Sequence, residues 1–198
     1  MEKHILRKAT LFIHILVPLA LFLSCEGFLK WEAPEKTYEL PPITTTGETT
    51  FGCHVNGELW LFGGVGLYPK LTCFYYKDIL YLDAERNDKK IVKSDFWNYS
   101  AIGIKLKNPN SRSLEGKYIL GDTTSHIYAQ VLNFGYLVEN PVFYTDSNST
   151  GVIEILKHDT VSRIVSGLFE FKAVYPSTDS IVVNDTIVVT DGRFDVTY

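Results

Sequence analysis

Two cysteines, Cys53 and Cys73, lie in stretches that alternate apolar and polar residues, which predicts both on strands with their side chains on aromatic faces. In an oxidising compartment such a pair can close a disulfide; otherwise two buried thiols act as small apolar side chains. His54, His126 and His158 stand far apart, with no H-x-x-x-H spacing, so they read as surface or hydrogen-bonded residues. Neither a metal nor a cofactor is expected. No G-x-S-x-G motif, phosphate loop or Cys-His pairing occurs. Asp83, Glu85, Asp88 and Asp95 could supply the two carboxylates of a glycoside-cleaving site, although surface acids are common in an acidic chain. With no second supporting feature, the expectation is a protein that is not an enzyme.

The aromatic residues carry more information. There are 12 Tyr, 12 Phe and 3 Trp. Trp97, Tyr99, Tyr68, Tyr136 and Tyr144 fall in predicted loops or strand ends, where exposed rings can stack on the apolar faces of sugars or can plug the ends of a core. Asp followed by Ser or Thr and then an apolar residue or Thr occurs at Thr123, Thr160, Ser180 and Thr186. The pattern resembles the acceptor sequence for O-glycosylation of exported Bacteroidota proteins, and is also ordinary chemistry for opening a β-turn.

These residues are delivered by an address at the front of the chain. Lys3, Arg7 and Lys8 precede the apolar run Leu11 to Cys25, the pattern of a secretory signal. The run is short for a membrane span, which needs ~20 apolar residues. Phe22-Leu23-Ser24-Cys25 resembles the lipobox of bacterial lipoproteins, in which the Cys is diacylated, becomes the first residue and is acylated again. A signal cut near Ser24 with an incidental Cys, or an uncleaved anchor, are the alternatives. Several acyl chains hold a protein stably, at ~0.8 kcal/mol per buried methylene. The expected division is a signal peptide at 1–24, a lipidated Cys25 and Pro/Thr-rich tether to residue 50, and a domain from 51 to 198. Loss of 1–24 leaves 16 Lys plus Arg against 22 Asp plus Glu, a net charge of −6, which argues against nucleic acid as a partner. The expected partners are the membrane, through the lipid, and a glycan or envelope protein. The outer membrane is the expected location, with the periplasmic and surface faces both open.

The elements that must position the chemistry read as strands. Pro34, Pro41 and Pro42 favour an extended tether, although part of it could lie along the domain as an edge strand. Asn56-Gly57 predicts a hairpin with Cys53 opposite Trp60, Phe51 opposite Phe62, and Phe51, Cys53, Val55, Trp60 and Phe62 on one core face. LTCFYY and ILYLDA predict a second hairpin about Lys77-Asp78, and Ser94 a cap for a short helical turn carrying Phe96, Trp97 and Tyr99. Gly167 predicts a bulge or close contact within a long strand, and Asp191-Gly192 predicts a closing hairpin pairing Val189 with Phe194 and Ile187 with Val196. With no long helix and no repeat, the fold class is all-β: an antiparallel sandwich or closed barrel of roughly ten to twelve strands.

The block from Glu39 to Trp60, ELPPITTTGETTFGCHVNGELW, together with SGLFEFKAV and the ending TDGRFDVTY, resembles a family of lipoproteins of unknown function in gut and related Bacteroidota. The TFGC-x-VNG-x-x-W block and the GRFD ending are the specific parts. The resemblance implies an envelope location but no chemistry, and it lapses after Trp60, at LFGGVGLYPK. Function is therefore expected to be binding or structural; the alternative is a carrier that encloses a small apolar ligand in a barrel.

Overall fold

The computed structural model describes residues 38–64, 70–87, 99–108, 113–123, 126–133, 142–175 and 186–198. Twelve strands form among them: β1 (Thr50–Val55), β2 (Glu58–Leu61), β3 (Gly63–Gly64), β4 (Leu71–Tyr76), β5 (Ile79–Asn87), β6 (Tyr99–Lys107), β7 (Gly116–Leu120), β8 (Ile127–Asn133), β9 (Val142–Tyr144), β10 (Gly151–Asp159), β11 (Ile164–Val174) and β12 (Thr186–Thr197). The main path runs β2-β1-β12-β11-β9-β8-β6-β5-β3, with β4 on β5, β10 on β11 and β7 on β10. This is an all-β fold, a sheet curled into a half-barrel. Among the described residues every pairing is antiparallel except that of β3 with β5.

Two turns are local in origin. Asn56 (φ 50) and Gly57 (φ 82) close the first hairpin with Cys53 opposite Trp60. Lys77 (φ 48) and Asp78 (φ 63) close the second, with Tyr76 opposite Ile79. Both have the paired positive φ of a type I′ turn, whose twist matches that of its flanking strands. Phe51, Cys53, Val55 and Trp60 are buried and Phe62 packs against them, as expected; the β1–β2 ladder keeps the expected register as far as Gly52 opposite Leu61, and on its other edge Phe51 pairs with Phe194. At Gly167 a Cβ would come within 2.5 Å of the Glu154 carbonyl oxygen, so the close contact is real.

Asp191-Gly192 does not close a hairpin. β12 runs unbroken through it, between β1 and β11, and Asp191 (φ 54) marks a bulge where the register shifts against both neighbours. The backbone chemistry that would close a turn here introduces a bulge, because long partners on both sides hold the strand extended. Ile187, Val189, Phe194 and Val196 nonetheless all face the core.

The core is a stack of rings. Phe51 meets Trp60 edge-on at 5.8 Å and Phe169 at 5.1 Å, and Phe169 also meets Phe194 at 6.3 Å. Burying one such ring contributes roughly 2–3 kcal/mol. Trp60 satisfies its indole by donating Nε1–H to Ser100 Oγ at 2.9 Å.

The strands begin at Thr50, and the compact unit also takes in residues 38–49, the end of the expected tether. A buried carboxylate holds part of that segment. Asp195 accepts the backbone N–H groups of Thr46 (2.9 Å), Gly47 (2.8 Å) and Glu48 (3.3 Å). Lys157 Nζ donates to the Thr45 carbonyl at 3.2 Å, and Pro41 lies over Gly52, where a Cβ would come within 2.7 Å of its ring. The end of the predicted tether is thus a strap bound to the domain.

Candidate functional site

Strand alternation creates the site. On β4, Leu71, Cys73 and Tyr75 point inward while Thr72, Phe74 and Tyr76 are exposed. On β5 and β6, Leu80, Leu82, Ala84, Ile102, Ile104 and Leu106 fill the core, which sends Tyr81, Asp83, Glu85, Gly103 and Lys105 to the other face. On β8 the same rule turns Gln130 outward beside the buried Ala129 and Val131.

Register then aligns these residues into two rows. Phe74 pairs with Tyr81, Tyr81 with Lys105 and Lys105 with Tyr128, a row across four strands. The adjacent row is Thr72, Asp83, Gly103, Gln130 and Tyr144 across five. At ~4.8 Å per strand the first row spans roughly 14 Å.

The first row is aromatic and cationic throughout, and it runs from the exposed Phe74 to Tyr128, which is buried. Phe74 and Tyr81 stack at 4.8 Å with their planes only 5° apart. Lys105 Nζ lies 5.5 Å from the Tyr81 ring centre and 5.2 Å from that of Tyr128, and it donates to the Tyr128 hydroxyl at 2.8 Å. That hydrogen bond raises the Lys105 pKa against the opposing effect of burial, and nearby Asp83 adds to the rise. Tyr128 in turn contacts Tyr144 at 6.1 Å, where both line a cleft of about 410 Å³ with Thr145 and Asp146. Phe74 is 47% exposed and Tyr76 56% exposed, so the β4 end of the face is open to solvent.

In the second row, burial raises the Asp83 pKa; Lys105 opposes the shift and Glu85 adds to it. Asp83 and Glu85, two of the four acids expected for glycoside cleavage, share a strand face roughly 7 Å apart. Glu85 is ion-paired with Lys70 at 3.1 Å, so they do not converge as an acid and base pair. What the face offers is aromatic rings beside a carboxylate, an amide and an ammonium, groups chemically able to stack on and hydrogen-bond to a hydroxyl-bearing ring.

Of the aromatic candidates, Tyr144 belongs to this face. Tyr68, Trp97 and Tyr136 lie outside the described residues, as do Cys25, Ser180, Asp88, Asp95 and the proposed turn capped by Ser94; Tyr99 opens β6, but its side chain is likewise outside them. Thr123, Thr160 and Thr186 are exposed. At Thr160 the preceding Asp159 also performs turn chemistry, accepting the N–H groups of Val161 (2.9 Å) and Ser162 (2.8 Å).

Cys53 and Cys73 are free thiols, so the candidate disulfide is not formed. Cys53 lies in the core on β1, between β2 and β12, while Cys73 lies on β4, which pairs with β5. Burial raises both pKa values, that of Cys73 to about 12, so neither is a reactive thiolate at neutral pH. His54 pairs with Asp191 at 3.0 Å, and His126 is exposed at φ 59. His158 Nδ1 accepts the Leu114 N–H at 3.1 Å while Nε2 faces the Tyr198 hydroxyl at 3.1 Å. No group of three or more His, Cys, Asp or Glu side chains is arranged for a metal among the described residues.

Sequence reasoning missed Phe74, Tyr81, Lys105, Tyr128 and Gln130 by looking for aromatic residues in loops. One signal was present: the Lys77-Asp78 turn fixes Phe74 opposite Tyr81, and alternation from the buried leucines puts that pair outside.

The class these features define is a curled antiparallel half-barrel with an aromatic and polar outer face. No family model, curated protein or solved structure matches the chain.

Proposed function

We propose that the chain is an envelope lipoprotein, anchored to the outer membrane through Cys25, whose β domain binds a glycan on the outer face of β4, β5, β6, β8 and β9. The observation that carries the reading is the row Phe74, Tyr81, Lys105 and Tyr128, in which a stacked pair of rings continues an open edge. Rows of paired rings also stabilise sheets. Stability gains nothing, however, from leaving Phe74 and Tyr76 about half exposed, and ligand stacking would use that surface. The packing of Phe51, Trp60, Phe169 and Phe194 favours surface binding over a carrier enclosing an apolar ligand, since these rings occupy the interior such a ligand would need. The lipobox, the acidic mature chain and the resemblance through the TFGC block support the envelope location.

The test is equilibrium titration of the full chain in detergent micelles against soluble oligosaccharides, with Phe74→Ala and Tyr81→Ala beside it. Stacking contributes ~1 kcal/mol or more per ring, so each variant should weaken binding about 5-fold or more. Equal affinity in both variants and the parent would end the assignment to this face. Loss of acyl labelling in Cys25→Ala would support the anchor, and unchanged labelling would refute it.

A further inference from the structure

Gly103 is the one residue in the second row without a side chain, and its neighbours close over it. A Cβ placed there would lie 2.6 Å from Asp83 Oδ1 and 3.0 Å from Gln130 Nε2. The carboxylate and the amide therefore converge above the glycine from the strands on either side. Neither hydrogen-bonds to another described residue, although both are half-buried. A half-buried carboxylate without a donor is under-hydrated and gains by accepting hydrogen bonds from a ligand. An ionised carboxylate only accepts, whereas an amide both donates and accepts, so the two together match neighbouring hydroxyls in which one donates and the next also accepts.

We infer that Asp83 and Gln130, with Gly103 as the floor between them, form a two-point clamp that reads adjacent hydroxyls on an uncharged sugar ring. The inference rests on the glycan reading above and names its ligand class. Tyr81 is two residues from Asp83 on the same strand face, roughly 7 Å away, so a ring stacked on Phe74 or Tyr81 brings its hydroxyl edge to the clamp. Charge selects against acidic sugars. A uronate would meet the Asp83 carboxylate with Glu85 on the same face, while the nearest cation, Lys105, already donates to the Tyr128 hydroxyl and lies against two rings. A substituent at position 103 would push the two polar groups apart, which makes Gly103 a positioning residue for the clamp.

The experiment is calorimetric titration of the full chain in micelles with gluco-, galacto- and manno-configured neutral oligosaccharides and an oligogalacturonate of matching length. Asp83→Asn, Gln130→Met and Gly103→Ala are measured beside Phe74→Ala, with circular dichroism as a check on folding. The expected result is binding of at least one neutral series and none of the oligogalacturonate. Asp83→Asn, which keeps the shape of the side chain, should weaken binding about 10-fold or more, as for loss of a hydrogen bond to a charged group. If Phe74→Ala weakens binding while Asp83→Asn and Gln130→Met match the parent, the clamp is overturned and the aromatic face stands. Preferential binding of the oligogalacturonate overturns the clamp in the same way. Failure of every probe to bind the parent, or full affinity in Phe74→Ala, overturns the glycan reading and the clamp with it.

Discussion

Asp195 shows how one carboxylate can set where a domain begins. It is 1% exposed, and burial alone would raise its pKa, yet the Thr44 hydroxyl together with the N–H groups of Thr46, Gly47 and Glu48 outweighs burial and holds it below the ordinary value. A carboxyl whose pKa is depressed by folding contributes stability at every pH above its unfolded value, and that contribution disappears as pH falls through the folded value. Asp195→Asn is therefore expected to cost about 2 kcal/mol at neutral pH. The gap between variant and parent in urea titrations should stay constant down to about pH 5 and close below about pH 4. A gap of the same size at pH 3 would show that the charge is not what binds the strap. His158 has the opposite sign. Burial lowers its pKa, partly offset by Glu115 and Asp159, and its Nδ1 accepts a backbone N–H, so the fold holds the neutral ring. Its contribution is complete above the unfolded histidine value and is lost on acidification through it. Between pH 7 and 5 the parent should lose stability relative to His158→Gln, and parallel stability curves would refute this.

At the scale of elements, two glycines that look alike in sequence do different work. Gly57 (φ 82) has nothing within 4 Å of an added Cβ, so Gly57→Ala carries only the backbone cost of a left-handed residue, about 1 kcal/mol. At Gly192 a Cβ would come within 2.4 Å of the Phe169 ring and 2.5 Å of its carbonyl oxygen, so Gly192→Ala should cost about 3 kcal/mol, the upper range for overpacking. Thermal denaturation of the two variants would rank them, and the reverse order would contradict the bulge. The comparison also explains what could be read from sequence. Asn56-Gly57 and Lys77-Asp78 turn between strands that are each other's partners, so local chemistry was sufficient. Asp191-Gly192 has the same local chemistry, but β1 and β11, distant in sequence, decide that it bulges instead of turning. The candidate site failed to show for the same reason. Alternation identified the outward residues of each strand, but the rows exist only because β5 pairs with β6 and β6 with β8. Those partners could not be found from turn signals.

For the whole molecule, the last strand is the organising one. β12 lies between β1 and β11, and it also receives the strap, whose Thr46 is 149 residues away from Asp195 in sequence. The first hairpin is fastened to it as well: the Asn56 side-chain oxygen accepts the Val188 N–H at 2.8 Å, and Asn56 returns its own N–H to the Val188 carbonyl at 2.8 Å. Until β12 is made, β1 and β2 have no neighbour among the described strands through which to join the sheet, and Phe51 lacks its cross-strand partner Phe194. Such long-range closure is slow, because loop entropy must be overcome before the contacts form. Three truncations test this view of the fold. A chain starting at Tyr38 should unfold in one transition with the stability of the parent, since the compact unit begins there. Starting at Thr50 removes the donors to Asp195 and should cost about 2–3 kcal/mol while keeping a cooperative transition. Ending before Thr186 removes β12 and should leave no cooperative transition in urea. A folded product from that last chain would show that the half-barrel closes without β12, and the strap would then have to be explained by something other than the strand it binds.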